Sequence, residues 1–318
     1  MSPTQLTKID ALCAKFKQLH VWSRREQRAP HKPLLVLLAL GKLQAGAARL
    51  LKFDDIEKTL TQLLQDFGPP RRTPHPEYPF WRLQNDGIWQ VPRHQELERF
   101  RGARVGHNTD PLKSELLNLH LEAGFPEEIF DSLKRHPESV RRIAREVLAA
   151  HFPESLHESI ASAVGIALDG LERCPDRDPA FRSAVLAVWR HSCAFCGYSV
   201  QLDNSDLGLE AAHIRWVQAG GPDALDNGVA CCCLHHQAFD RGAISVADDL
   251  TILVSSRLHG HGKLDDQFLC LCQRPLGKPA RRDAQPRREY LSWHRKEVFR
   301  GEACDRTAGP ALHSFTST

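Results

Sequence analysis

Long apolar runs are missing from this 318-residue chain. The longest, Leu34 to Leu40, falls far short of the roughly 18 residues that cross a bilayer, so no membrane span is expected. Residues 1–12 are polar and charged where a secretory leader needs an apolar stretch, and a cytoplasmic location is expected. Net charge is slight, +3 with histidine neutral, so overall charge names no partner. No internal repeat is present. Ten cysteines without a leader do not point to disulfides.

The length suits two ordinary domains, each able to bury its own core. The stretch Asp169–Pro179, with Gly170, Pro175 and several charges, reads as the boundary between them. Residues 1–168 are expected to form one domain and 169–300 a second. Residues 301–318 are small and polar, and read as a flexible tail.

Charge is local rather than global. Arg24, Arg25, Arg28 and Lys32 bunch together, as do Arg71 and Arg72, then Arg99, Arg101 and Arg104, then Arg281, Arg282, Arg287 and Arg288. Bunched guanidinium groups suit a phosphate backbone, with solvated surface charge as the bland alternative.

Periodicity outlines the first domain. Leu6, Ile9, Leu12, Phe16 and Leu19 recur at helical spacing. A second helix near Lys32–Gln44 is apolar on nearly every face and should be central, with Pro33 in its first turn and Gly46 ending it. Asp54 or Asp55 can cap a third helix that runs to Phe67 and stops at Gly68-Pro69-Pro70. Tyr78–Leu83 and Ile88–Val91 read as strands of a hairpin turning at Asn85-Asp86-Gly87. Helical patterns resume from Leu112 and continue through Ile129, Val140–Ala149 and Leu156–Ile166. The fold class expected is α+β: a mostly helical N-terminal domain with a small β-hairpin, then a zinc-stapled domain.

The staple is read from spacing. A helix from Phe181 leads to Cys193-x2-Cys196, a knuckle that lets two thiolates meet one ion. Cys232-x2-His235 is the matching pair, which together make a Cys3His site for a structural, tetrahedral Zn2+. Cys231 and Cys233 flank Cys232, and helical geometry should turn them away from the ion, though either could substitute. Cys13, Cys174, Cys270, Cys272 and Cys304 are scattered and read as ordinary thiols.

Between and after these pairs come His213, Asn227 and His236. This series, interleaved with the zinc pairs over roughly residues 190–246, resembles the HNH or ββα-metal nucleases. The resemblance implies that His213, ending the first strand of a hairpin, is the general base, and an imidazole near neutral pKa suits that task. It implies that His236, early in the following helix, binds a catalytic Mg2+ or Mn2+. Asn227 would hold the connecting loop, touch the metal or orient the base. Many members carry an Asp or His directly before the base, where this chain has Ala212. Glu210, two residues earlier on the same strand face, or Asp240, one helical turn beyond His236, could supply the missing ligand. Exchange of His235 and His236 between the two metal sites stays open, and Arg215 and Arg241 are candidate phosphate contacts.

The segments Ala29–Leu38 and Tyr78–Gly87 resemble the sulfur-binding domain, a reader of phosphorothioated DNA found fused to HNH nucleases in restriction enzymes. That resemblance covers roughly residues 5–165. A non-bridging sulfur is larger, softer and less hydrated than oxygen, so an apolar cup flanked by cations can favour it. By resemblance the cup uses Tyr78 and Pro79, with His31 and Lys32 at its rim and Arg104 as a further contact. Together the two halves imply a phosphorothioate-dependent type IV restriction endonuclease acting on double-stranded DNA. A duplex cut needs two active sites or repositioning, so a homodimer is expected. The alternatives are an HNH nuclease reading another mark, such as a methylated base, and a zinc-stabilised DNA-binding protein without activity.

Overall fold

The computed structural model describes residues 10, 12–16, 19, 30–101, 110–168, 179–203 and 205–304. The chain divides into two compact units, Met1–Cys174 and Pro175–Thr318. No helix among the described residues is long and apolar enough to cross a membrane. Arg104, most of the Asp169–Pro179 stretch and the tail beyond residue 304 lie outside the described residues, as does much of the expected first helix, of which residues 12–16 are helical.

In the first unit, α1 (His31–Gln44) buries every residue from Pro33 to Gly41. Pro33 falls in its first turn, where no amide donor is needed. A helix apolar on all sides has to be covered on all sides, and this sets the architecture. The unit's other helices are α2 (Phe53–Phe67), α3 (Glu77–Arg82), α4 (His94–Arg101), α5 (Lys113–Asn118), α6 (Glu127–Arg135), α7 (Pro137–His151) and α8 (Glu154–Val164), of which α2, α3, α7 and α8 pack on α1. Helix α2 buries Phe53, Ile56, Leu60, Leu63, Leu64 and Phe67 on one stripe. It starts two residues earlier than an Asp54 cap would allow. Lys52 is its N-cap, and Asp54 and Asp55 sit in the first turn, where the helix dipole favours them.

The expected hairpin at residues 78–91 is corrected. Glu77–Arg82 is helical, and Leu83–Asp86 continues it as a 3-10 turn. Pro76 and Pro79 occupy the N-cap and first turn of α3, where their fixed φ is already helical. Phe80, Trp81 and Leu83 are buried while Arg82 is exposed, which is a helical face and not strand alternation. Gly87, at φ +70°, ends this helical stretch in the left-handed conformation instead of turning a hairpin. The β structure of this unit comes from segments far apart in sequence: β1 (Leu50–Lys52) pairs antiparallel with β2 (Glu122–Gly124), Leu50 opposite Gly124. Phe16, Phe53, Phe80, Trp89 and Phe125 form an edge-to-face aromatic chain through the core, with centroids 4.9–6.0 Å apart.

His151, closing α7, carries a buried Nε2 without a hydrogen-bond partner among the described residues. Burial pushes its pKa down to about 4. The unfolded chain takes up this proton near pH 6.5, whereas the folded unit refuses it until about pH 4. Stability should therefore fall as pH drops through that window, by at most about 3 kcal/mol, and level off below it. Urea unfolding against pH should show this decline in the wild type and a reduced one in His151→Leu; identical slopes would contradict the assignment.

The second unit opens with α9 (Pro179–Val188) and a knuckle, followed by a small hairpin of β3 (Gln201–Leu202) and β4 (Ser205–Asp206). Then come β5 (Leu209–His213), β6 (Gly228–Cys232) and α10 (Cys233–Asp240), a ββα arrangement. β5 and β6 are antiparallel, from Leu209 opposite Cys232 to His213 opposite Gly228. A third hairpin, β7 (Ile244–Val246) with β8 (Ile252–Val254), the short α11 (Leu264–Gln267) and α12 (Arg288–Glu297) complete the unit. Buried His294 fixes α12 in place. It hydrogen-bonds Ser245 Oγ at 2.8 Å, donates to Phe239 O at 3.1 Å and stacks on Phe239 at 3.8 Å.

Candidate metal centre and nuclease site

One end of the β5–β6 hairpin gathers four metal-type donors. The Cys193–Cys196 knuckle is pinned to β6 by Ala194 N donating to Ala230 O at 2.8 Å. Cys232 ends β6 and caps α10, which puts His235 in the first helical turn beside it. The ligand atoms of Cys193, Cys196, Cys232 and His235 lie within 4.8 Å of one another. Nδ1 of His235 is 3.2 Å from Cys232 Sγ and 3.7 Å from Cys193 Sγ. Its Nε2 donates to Gln267 O at 2.9 Å, which turns the Nδ1 lone pair toward the thiols. Hydrogen bonds from Cys196 and Cys232 hold the Cys193 thiol far below its ordinary range, against the effect of burial. Three sulfurs and one imidazole at this spacing can hold a tetrahedral metal ion.

The neighbouring thiols are turned away, though not by helical geometry at both positions. Cys231 is a strand residue, so alternation sends it into the core, where its thiol donates to Val229 O and burial pushes its pKa up. Cys233 is exposed on the first turn of α10.

The other end of the hairpin carries His213, with Asn227 just before its partner strand. His213 ends β5, stacks on Phe181 of α9 at 4.1 Å and 11°, and shares Nε2 with Asp223 Oδ1 at 2.7 Å. α9 approaches so closely here that a Cβ on Gly228 would lie 2.4 Å from Val185 Cγ2 and 3.1 Å from the Phe181 ring. Asn227 is fully buried. Its Oδ1 accepts from Arg215 N at 2.8 Å, and its Nδ2 donates to Arg215 O at 3.0 Å and Pro222 O at 2.9 Å. The amide thus closes the loop between the strands, the first of the roles open to it.

His236, on α10, lies between two carboxylates. Its Nδ1 is 2.5 Å from Glu210 Oε2 and its Nε2 is 3.1 Å from Asp240 Oδ2. Asp240 is buried and also accepts from Trp216 Nε1 at 3.0 Å. Glu210 is about half exposed, 47% of its side chain. Ala212, directly before His213, is wholly buried on the strand. Burial disfavours the charged imidazole, yet Asp240 and Glu210 outweigh it and push the His236 pKa up to about 9. A place that holds a proton so firmly favours positive charge.

In the first unit, His31 and Lys32 open α1, and Lys32 forms an ion pair with buried Asp86 in the turn after α3. This pair ties the start of α1 to the segment bearing Tyr78 and Pro79. Pro79 is buried. The half-buried Tyr78 ring lies between His75, stacked at 4.6 Å, and the Arg82 guanidinium, 4.7 Å from its centroid. Arg82 is in turn held by Asp110. Sequence reading assigned no role to His75, Arg82, Asp86 or Asp110, nor to Asp223, Trp216 and Phe181. The Tyr78–Arg82 contact follows from i,i+4 spacing, visible only once the segment is known to be helical.

A hairpin and helix with a Cys3His cluster at one end, His213 at the other end of the hairpin and His236 on the helix define an HNH-type nuclease unit, and residues 193–247 match the model of the HNH endonuclease family. Residues 9–169, half of the chain, match the model described as ScoMcrA-like, DNA sulfur-binding domain, and the chain belongs to that family. Among solved structures it is similar to the sulfur binding domain of ScoMcrA complexed with phosphorothioated DNA (23% identity, TM-score 0.42, covering 48% of this chain and 94% of that one). The sulfur binding domain of SprMcrA, also complexed with phosphorothioated DNA, is 21% identical with a TM-score of 0.40 (52% of this chain, 99% of that one). The type IV phosphorothioation-dependent restriction endonuclease ScoMcrA is 23% identical over 51% of this chain, with a TM-score of 0.40, and only 35% of that longer protein is covered. Comparison with curated proteins returns no match.

Proposed function

We propose that this chain is a modification-dependent restriction endonuclease: its first unit binds phosphorothioated DNA, and its second hydrolyses nearby phosphodiester bonds. The observation that carries the nuclease chemistry is the pairing of both histidines with carboxylates at one hairpin, His213 with Asp223 and His236 with Glu210 and Asp240.

His213 is the general base. Asp223 accepts the Nε2 proton, which assigns the lone pair to Nδ1, the atom that takes the proton of the attacking water. Phe181 holds the ring plane. Glu210 and Nδ1 of His236 are the protein ligands for the catalytic cation, replacing the ligand that Ala212 cannot offer. Asp240 is reassigned from ligand to anchor: it fixes Nε2 of His236 and is fixed by Trp216. A bound Mg2+ or Mn2+ would neutralise charge on the scissile phosphate and the leaving oxygen. The Cys193, Cys196, Cys232 and His235 set holds Zn2+ as a structural ion.

In the first unit, Tyr78 and Pro79 supply the apolar surface for sulfur, with His31 and Lys32 at its rim and Arg104 as an additional contact. Arg82, stacked on Tyr78, adds a cation at the same place. The protein works in the cytoplasm, where cellular DNA lies, and as a homodimer when both strands are cut. Binding of the full chain to matched phosphorothioated, methylated and plain duplexes tests the reader. Preference for the sulfur-bearing duplex is expected; equal affinity for modified and plain DNA removes the sulfur assignment.

A further inference from the structure

We propose that Lys278–Arg288 is a strap that grips the backbone of duplex DNA along the nuclease unit, outside the residues that match the HNH family. The inference rests on reading that unit as a nuclease. The stretch holds Lys278, Arg281, Arg282, Arg287 and Arg288 against one acid, Asp283. All five cations are exposed.

Its path gives the charges a purpose. Gly277 N donates to Ala194 O at 2.8 Å, beside the cysteine knuckle. Ala280 N donates to Val188 O at 2.7 Å at the end of α9, and Arg190 Nη1 donates to Lys278 O at 3.2 Å. Arg287 N then donates to Asp226 O at 3.0 Å, and the Arg287 guanidinium pairs with the Asp226 carboxylate at 2.6 Å. Asp226 lies two residues before Gly228, the strand partner of His213. The strap therefore runs from the metal-binding end of the hairpin to its histidine end. Pro279 and Pro286 stiffen it, and buried Ala284 and Pro286 seat it.

Some of its charge is spent within the protein: Arg281 pairs with Asp283, and Arg287 with Asp226. Lys278, Arg282 and Arg288 have no carboxylate partner among the described residues. A rigid row of uncompensated cations, reaching the site where a phosphodiester would be cut, complements a polyanion with regularly spaced phosphates.

The test uses the full chain and a plain duplex, with Kd measured against salt concentration. The Lys278→Gln/Arg282→Gln/Arg288→Gln variant should show a dependence of log Kd on log salt shallower by about 2.7 units, and each single substitution by about 0.9. The Arg282→Lys/Arg288→Lys variant should keep the wild-type slope. An unchanged slope in the triple variant, or equal loss in the lysine variant, overturns the strap. Cleavage of a matched phosphorothioated duplex by the wild type, with Mg2+ or Mn2+ present, is scored separately. A shallower slope in a protein that never cuts upholds the strap and removes the nuclease reading instead.

Discussion

Replacing His213 with alanine should slow metal-dependent cleavage by about 10²–10⁴-fold, the usual contribution of a general base, while duplex binding stays at the wild-type level. The split between chemistry and binding follows from position. His213 stacks on Phe181 and bonds Asp223, so its ring is held by protein groups that the substitution leaves in place. The backbone pairing of His213 with Gly228 does not depend on the imidazole. Single-turnover cleavage with an independent Kd measurement checks this. Undiminished cutting by the variant would remove the base assignment, and lost binding would make His213 a contact residue.

The second large effect concerns the staple. Cys232→Ala, or a strong chelator, should abolish the unfolding transition of the second unit and its cleavage together, leaving the transition of the first unit unmoved. Structural zinc contributes on the order of 10 kcal/mol or more to folding in small zinc modules. The hairpin beside the knuckle adds little: β3 and β4 are two residues each, and Val200, Leu202 and Leu207 around them are exposed. Cleavage should go with the staple because His235 and His236 are adjacent on α10. The ion that fixes the first sets the register at which the second meets Glu210 and Asp240. Cys233→Ala, at an exposed thiol, should change stability by no more than about 0.5 kcal/mol. Zinc content and calorimetry of the variants decide it; a Cys232→Ala protein with an intact second transition would show that the cluster is not a staple.

Much of this was legible in sequence because the signals are short-range. The Cys-x2-Cys and Cys-x2-His spacing leads to the same four donors that converge in the fold. The all-apolar helix near Lys32–Gln44 is central because nothing else can cover it. The hairpin at residues 78–91 misled because Asp-Gly supplies a left-handed residue equally well to a turn or to a helix end, and the burial of Phe80 and Trp81 together cannot be read from letters. The pairing of Leu50–Lys52 with Glu122–Gly124 was invisible for the opposite reason, being wholly non-local. Around the nuclease site, the histidines could be found by order along the chain. Their partners could not. Asp223 reaches His213 across a loop, and Trp216 reaches Asp240 only because α10 packs on the hairpin.

The central claim is that sulfur on the DNA backbone directs this nuclease, and cleavage of two duplexes identical except for one phosphorothioate group tests it most directly. With Mg2+ or Mn2+ present, the full chain should cut the modified duplex near the sulfur and leave the plain one intact, and His213→Ala should cut neither. Cleavage of both duplexes at equal rates, or of neither by the wild type with either ion, would contradict it.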